Sequence, residues 1–229
     1  MIQSRTAPLR IATIGGLAAI ACSLVCGAAT LPSPTVDEAR SDKKTETAVF
    51  AGGCFWGIQA VFDATKGVSS AISGYSGGSK AKAQYEIVST GTTGHAESVQ
   101  VTYDPSRISF GQLLQIYFSI HDPTQLNRQT PDEGTQYRSE IFYSTDDQKR
   151  VAEAYVQQLT AANVFPKRIV TKIAPLQAFY RAEDYHQDYV LHCRQNLPVC
   201  TNKPYVEHYD LPKLATFRNE FPQFVKGAK

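Results

Sequence analysis

The sequence predicts a single α/β domain in which helices cover a central sheet. Short apolar or alternating runs at 48–51, 68–75, 96–103, 140–143 and 168–173 alternate with stretches of helical spacing, and most connections between them are short. The chain has 229 residues, 42% of them hydrophobic and 19% charged, enough for one sizeable core. That composition excludes disordered, collagen-like and multi-span membrane classes. Its 23 basic and 21 acidic residues give a net charge of +2 with no basic stripe interleaved with aromatics, so nucleic acid is not an expected partner.

Residues 1–29 stand apart. Arg5 and Arg10 precede the uncharged run Ile11 to Ala29, which ends on Gly27, Ala28 and Ala29, the pattern of an export signal cut near Ala28 or Ala29. An uncleaved anchor, or a lipid-modified Cys22 after Ala19-Ile20-Ala21, is the alternative. All three place the domain outside the cytoplasm, in the periplasm of a bacterium, with membrane contact only through this segment. Without it the chain carries 21 residues of each sign and three cysteines, Cys54, Cys193 and Cys200. An odd number in an exported protein suggests one structural pair plus a reactive thiol, or thiols that exchange partners.

The polar, Pro-containing residues 30–45 read as a linker, and the folded unit, 46–229, starts near Glu46. Ala48 to Ala51 is a strand ended by Gly52-Gly53, and Phe55, Ile58, Val61 and Phe62 space a helix that begins at Cys54. Val68 to Tyr75 and Ala96 to Tyr103 are strands, the second with Glu97, Val99, Val101 and Tyr103 on one face. Ser109 caps a helix reaching about His121, and Glu140 to Tyr143 is a short strand. Thr145 with Gln148 forms a capping box ahead of Val151, Ala154, Tyr155 and Leu159, and Arg168 to Ile173 returns as a strand. A last helix is predicted from Arg181 to about His192, then a Pro-containing tail from about 194 with a weakly amphipathic stretch at Leu214 to Phe221.

Cys54 is the sharpest chemical feature. A thiol acts as its thiolate, and a helix N-terminus offers unpaired N–H groups and partial positive charge to that anion. Phe55 and Trp56, the only tryptophan, follow it and can wall an apolar group such as a methyl. Glu97 is a proton donor if its strand face is the buried one, and a solvated carboxylate if it is not. Tyr85 and Tyr137 lie in polar loops, where a phenol can bind a substrate oxygen or simply pack, and Asp132 is a hydrogen-bond partner or a turn residue. His186, His192, Cys193 and Cys200 do not have the spacing of a zinc site, and His186 reads as a packing residue.

Four ordered motifs carry a family resemblance: Gly52-Gly53-Cys54-Phe55-Trp56-Gly57, Gly94-His95-Ala96-Glu97, Asp132-Glu133-Gly134-Thr135-Gln136-Tyr137-Arg138 and Ala182-Glu183-Asp184-Tyr185-His186-Gln187. Together they resemble type A peptide methionine sulfoxide reductase. The resemblance implies a two-layer α/β sandwich on a central mixed sheet with a ferredoxin-like core, and a monomer. It implies Cys54 as nucleophile, Glu97 as acid, Tyr85 and Tyr137 holding the sulfoxide oxygen with Asp132 assisting, and Phe55 and Trp56 cradling the methyl. Expected substrates are methionine-S-sulfoxide in oxidised proteins or peptides and as the free amino acid; no cofactor or metal is expected beyond a thioredoxin-like dithiol. The tail departs from the family by lacking its Gly-rich cysteine segment. Cys200, on a loop, is the favoured resolving thiol, with a relay to Cys193 or a plain Cys193–Cys200 staple as the other possibilities. Two further functions compete: a Cys-dependent acyl transferase or peptidase with His95 or His186 as base, and a noncatalytic thiol protein that binds partners through Phe55 and Trp56.

Overall fold

Ala48 to Ala51 is apolar without interruption, and such a strand has to be covered on both faces. In the computed structural model, which describes Met1, residues 31–39 and residues 43–227, this run is the middle of β1 (Glu46–Gly52). Ala48 and Phe50 point into the main core, Val49 and Ala51 into a smaller one with Ala96 and Phe142. After β1 come α1 (Phe55–Asp63), β2 (Val68–Ser76), α2 (Tyr85–Val88), β3 (Ala96–Tyr103) and α3 (Phe110–Ser119). A two-residue hairpin, β4 (Arg128–Gln129) and β5 (Asp132–Glu133), precedes β6 (Ser139–Tyr143), α4 (Asp146–Ala161), β7 (Lys172–Pro175) and β8 (Phe179–Arg181). The chain closes with α5 (Tyr189–Arg194), α6 (Lys203–Tyr205) and α7 (Leu211–Glu220).

The six-stranded sheet runs β7-β6-β1-β3-β2-β8, antiparallel throughout except for β6 beside β7. It is therefore mixed, and its inner order β6-β1-β3-β2, with α1 and α3 as crossovers, is the ferredoxin-like arrangement. Phe50 faces Val99 on β3 and Ile141 on β6. Its ring, wholly buried, stacks on Phe62 at 5.3 Å, Phe110 at 6.0 Å and Tyr117 at 5.1 Å, which ties α1 and α3 to the sheet. A second tie is polar: on α1 the buried Gln59 donates to the Ala71 carbonyl (3.0 Å) and accepts from Ser73 Oγ (2.9 Å). Both helix starts predicted from capping residues are present. Ser109 and Gln112 form a reciprocal box at α3, whereas at α4 Thr145 accepts from the Gln148 N–H and the Gln148 side chain reaches one residue further back, to Ser144.

Four stretches differ from the sequence reading. Residues 31–39, expected to be linker, lie as a strap over α3 and α4: Gln115 donates to the Leu31 carbonyl (2.6 Å), Tyr155 to that of Pro32 (2.8 Å), and Asp37 accepts from the Gly111 N–H (2.9 Å). The strand expected over 168–173 pairs only from Lys172, because the Val170 N–H is taken by the Pro123 carbonyl (2.8 Å) instead of the sheet. The helix expected over 181–192 begins only at Tyr189. Ahead of it β8 pairs with β2, and the Gln187 side chain accepts from the Ser73 N–H (3.0 Å) and donates to the Ser73 and Ala182 carbonyls (3.1 Å each). Those tertiary bonds hold Asp188 in a left-handed conformation (φ 52°) that breaks the helix. Finally, the tail is helical, with Leu214 and Phe217 of α7 buried in the main core.

The export segment predicted over residues 1–29 lies outside the described residues apart from Met1. Among the described residues no helix is long and apolar enough to cross a membrane.

Phe50→Ala removes the ring shared by both crossover helices and is expected to cost about 3–5 kcal/mol. A urea titration should show a lower midpoint with an unchanged slope.

Candidate active site

Gly52-Gly53 sets the site because the turn from β1 into α1 has no room for a side chain. Gly53 has φ +94°, and a Cβ there would stand 2.6 Å from the side chain of Gln129. The turn delivers Cys54 to the N-cap of α1, with its side chain buried. Of the N–H groups that a helix start leaves without intrahelical partners, that of Phe55 donates to Glu97 Oε2 at 3.1 Å. The Trp56 and Gly57 N–H groups face Cys54 and Asp210 and favour their anionic forms. Glu97 comes from β3 and shares the inward face with Val99 and Val101. Of the two faces the sequence allowed, this is the buried one, and Glu97 is 2% exposed.

Burial governs the protonation of both groups. It pushes the Glu97 carboxyl up to about 8, despite the Phe55 N–H bond that favours the anion, so near neutral pH Glu97 is an acid with a proton to give. The Cys54 thiol is pushed well above its ordinary range, first by burial and then by the Glu97 and Asp210 charges. The sequence reading looks to the helix terminus to stabilise the anion; here desolvation by burial outweighs the helix dipole, and the resting group is a thiol.

Around this pair stand the other residues named from the sequence. Tyr85 heads α2, and its backbone N–H donates to Glu183 Oε1 (2.9 Å), whose other oxygen takes the Tyr75 hydroxyl (2.8 Å). Tyr137 ends a short 3-10 turn, Thr135–Tyr137. Burial raises both phenols, Tyr85 to about 12, and the charges of Glu97 and Cys54 raise them further. Both therefore remain hydroxyl donors within electrostatic reach of the acid and the thiol. Asp132, at the β5 hairpin, accepts from the Tyr205 hydroxyl. Phe55 is buried against the Tyr75 and His186 rings, whereas Trp56 is half-buried, stacked on Tyr189 at 3.9 Å and edge-on to Tyr205 at 5.7 Å. Its indole N–H donates to Nδ1 of His186 (3.1 Å), a histidine kept neutral by burial, which lowers it to about 4.

Cys193 and Cys200 are joined to each other, with Cα atoms 4.9 Å apart, and Cys54 is the free cysteine among the described residues. The expectation of a separate, mobile Cys200 thiol does not describe this state. Val199 and Thr201, on either side of Cys200, line a cavity of about 440 Å³ together with Trp56, Tyr85, Tyr189 and Asn202. Neither histidine weighed as a hydrolase base has a hydrogen bond to Cys54: His95 Nδ1 bonds Thr93, and His186 Nδ1 is occupied by Trp56. The sequence reading missed Tyr205, Asp210 and Lys213, which come from the tail; no motif marks them. It also gave no role to Glu183, although that residue stands in the fourth motif.

Residues 46–214 match the family model described as peptide methionine sulfoxide reductase. The chain is 55% identical over 179 residues to peptide methionine sulfoxide reductase MsrA 2 of Mesorhizobium japonicum, covering 78% of this chain and 88% of that one. With the protein of the same name from Synechocystis it shares 49% over 201 residues, 86% and 91% of the two chains. Among solved structures it is similar to Mxr1 of Saccharomyces cerevisiae in reduced form, with a TM-score of 0.61 and 34% identity over 74% of this chain and 97% of that one. Methionine sulfoxide reductase A of Corynebacterium diphtheriae gives 0.59 and 36% over 72% and 81%.

The raised Glu97 carboxyl has a consequence for stability. Between its ordinary value of 4.5 and about 8 the folded state binds a proton that the unfolded state releases, so this group stabilises the fold at low pH and loses that contribution as pH rises to about 8. Glu97→Gln keeps an acceptor for Phe55 but cannot titrate. Urea titrations at about pH 5 and pH 8 should show the variant gaining stability relative to the parent at the higher pH.

Proposed function

The chain belongs to the peptide methionine sulfoxide reductase family, and from that premise we propose the course of its reaction. It is an oxidoreductase that reduces methionine sulfoxide to methionine. The observation that carries the mechanism is the buried, protonated Glu97 hydrogen-bonded to the first N–H of the helix that begins at Cys54.

The hydroxyls of Tyr85 and Tyr137 hold the sulfoxide oxygen, and Trp56, with Phe55 behind it, walls the methyl. Asp132 assists by fixing Tyr205 at the edge of Trp56. Glu97 passes its proton to the sulfoxide oxygen, which makes the substrate sulfur electrophilic, and then takes the proton of the Cys54 thiol. The thiolate attacks that sulfur and a Cys54–sulfur bond forms as the S–O bond breaks, the oxygen leaving as water with the proton that Glu97 again gives up. That water attacks the Cys54 sulfur, the S–S bond breaks with its electron pair going to the substrate sulfur, which leaves as the thioether, and Glu97 takes back the proton as Cys54 becomes a sulfenic acid. In the reduced enzyme Cys200 then attacks Cys54 with loss of water, and Cys193 attacks Cys200 and frees Cys54 as a thiol. The product is a Cys193–Cys200 disulfide, which a thioredoxin-like dithiol reduces. The place of Val199 and Thr201 beside Trp56 supports this order, of which the closed Cys193–Cys200 pair is the end product. No other cofactor takes part.

The finer reading is an enzyme selective for the S epimer, in oxidised proteins and as the free amino acid. It acts as a monomer in the bacterial periplasm, delivered there by residues 1–29 or tethered through them. Arg5, Arg10 and the apolar run after them support the location.

The decisive test gives the protein a racemic methionine sulfoxide peptide and dithiothreitol; residual R epimer alone is expected, and a racemic residue or no product would sink the assignment. Cys54→Ser should abolish turnover. Glu97→Gln should slow a single turnover by about 100-fold, the lower end of what a general acid contributes. Cys200→Ser should still reduce one equivalent of sulfoxide yet fail to turn over with thioredoxin, and sustained thioredoxin-driven turnover in that variant would refute the resolving role.

A further inference from the structure

Asp210 is completely buried, and the reaction above makes no use of it. It closes a π turn, Val206–Asp210, that leads into α7. Its Oδ1 accepts from Lys213 Nζ at 3.3 Å and stands against Gly57, and its Oδ2 has no partner among the described residues. Lys213 lies one helical turn on, with its side chain 14% exposed. A Cβ at Gly57 would meet Asp210 Oδ1 at 2.4 Å and the Lys213 Cδ at 2.9 Å, so the pair sits directly on the first turn of α1, the turn that Cys54 begins.

We propose that Lys213, held by Asp210, is a positioning residue for the reaction: it brings an ammonium to the N-terminal turn of α1 and thereby favours the Cys54 thiolate in a site otherwise crowded with carboxyls. The proposal rests on the reductase reading only for its effect on turnover. Glu97 reaches the thiol from β3, Asp132 and the Tyr205 hydroxyl stand at the hairpin, and Asp210 comes from the tail. Lys213 opposes the charge of these carboxyls: it lowers Cys54, and also Glu97, Asp132 and Asp210. Glu97 nonetheless keeps its proton, because burial is the larger effect there. His121, which Lys213 also lowers, is neutral and adds no charge. An ammonium suits the place: it is a compact point charge, and its stem lies along Gly57, where there is no side chain to displace it.

The test uses the full chain with its Cys193–Cys200 disulfide intact. Iodoacetamide labelling of the Cys54 peptide is followed by mass spectrometry across a pH series, which separates it from Cys22 and Cys26. Lys213→Met should move the labelling profile to higher pH and slow labelling near neutrality about tenfold, as one pKa unit of thiolate fraction does. Lys213→Arg should recover most of that loss. Single-turnover sulfoxide reduction should fall by a similar factor in Lys213→Met, with KM changed by less than about twofold. If Lys213→Met does not fold, Lys213→Gln, which keeps a polar head for Asp210, gives the same comparison. Labelling profiles that superimpose on the parent overturn the proposal. Labelling involves no sulfoxide, so a parent protein inactive on sulfoxide would refute the reductase reading while leaving the Lys213 result readable.

Discussion

The hydrogen bond from the Phe55 N–H to the Glu97 carboxyl is the contact on which the site depends. It joins the two parts that the proposed chemistry requires, the helix start carrying Cys54 as nucleophile and the strand carrying Glu97 as acid, and it does so where water is excluded. A carboxyl so deeply buried is costly unless it is bonded or neutral, and Glu97 is both. The rest of the core sustains that burial. Phe50, Phe62, Phe110 and Tyr117 stack beneath the β1 turn, and Gln59 and Gln187 fasten α1 and the 182–189 segment to the same edge of β2.

Burial has opposite effects on the two reacting groups. For Glu97 it produces the protonated acid that the proposed sulfoxide activation needs, and for Cys54 it works against the thiolate that the proposed attack needs. In that mechanism the thiol ionises only when the acid beside it has given up its proton, which guards it from oxidants while the site is empty and couples its activation to substrate binding. The helix terminus therefore acts less as a source of charge than as a frame, its first N–H holding Glu97 and its Gly57 leaving room for Asp210 beside Cys54.

The C-terminal region is part of this frame. Tyr205 meets both Asp132 and Trp56, Tyr189 stacks on Trp56 while its hydroxyl accepts from the Thr201 and Asn202 N–H groups, and the disulfide ties α5 to that same loop. The wall of the cavity beside Trp56 and the disulfide loop are thus one packed unit. Because the segment carrying Cys200 reaches Trp56 through Tyr189, the oxidation state of the pair and the shape of the cavity share a physical path.

Local chemistry made much of this legible in the sequence. Gly52-Gly53 before helical spacing placed Cys54 at a helix start, since only glycine accepts that turn, and Ser109 and Thr145 marked caps because their hydroxyls satisfy helix N–H groups. The ordered motifs contain Cys54, Trp56, Glu97, Asp132 and Tyr137, the family resemblance adds Tyr85, and the structure gathers all six around the start of α1. What the sequence could not determine were the outcomes of competition at long range. Which face of β3 is buried decided that Glu97 is neutral; three side-chain bonds from Gln187 overrode helical spacing at Asp188; an ordinary-looking tail supplied Tyr205, Asp210 and Lys213. Spacing records which groups a residue can satisfy within its own turn or strand, whereas desolvation and partner choice depend on residues far along the chain, and only the folded packing sets those.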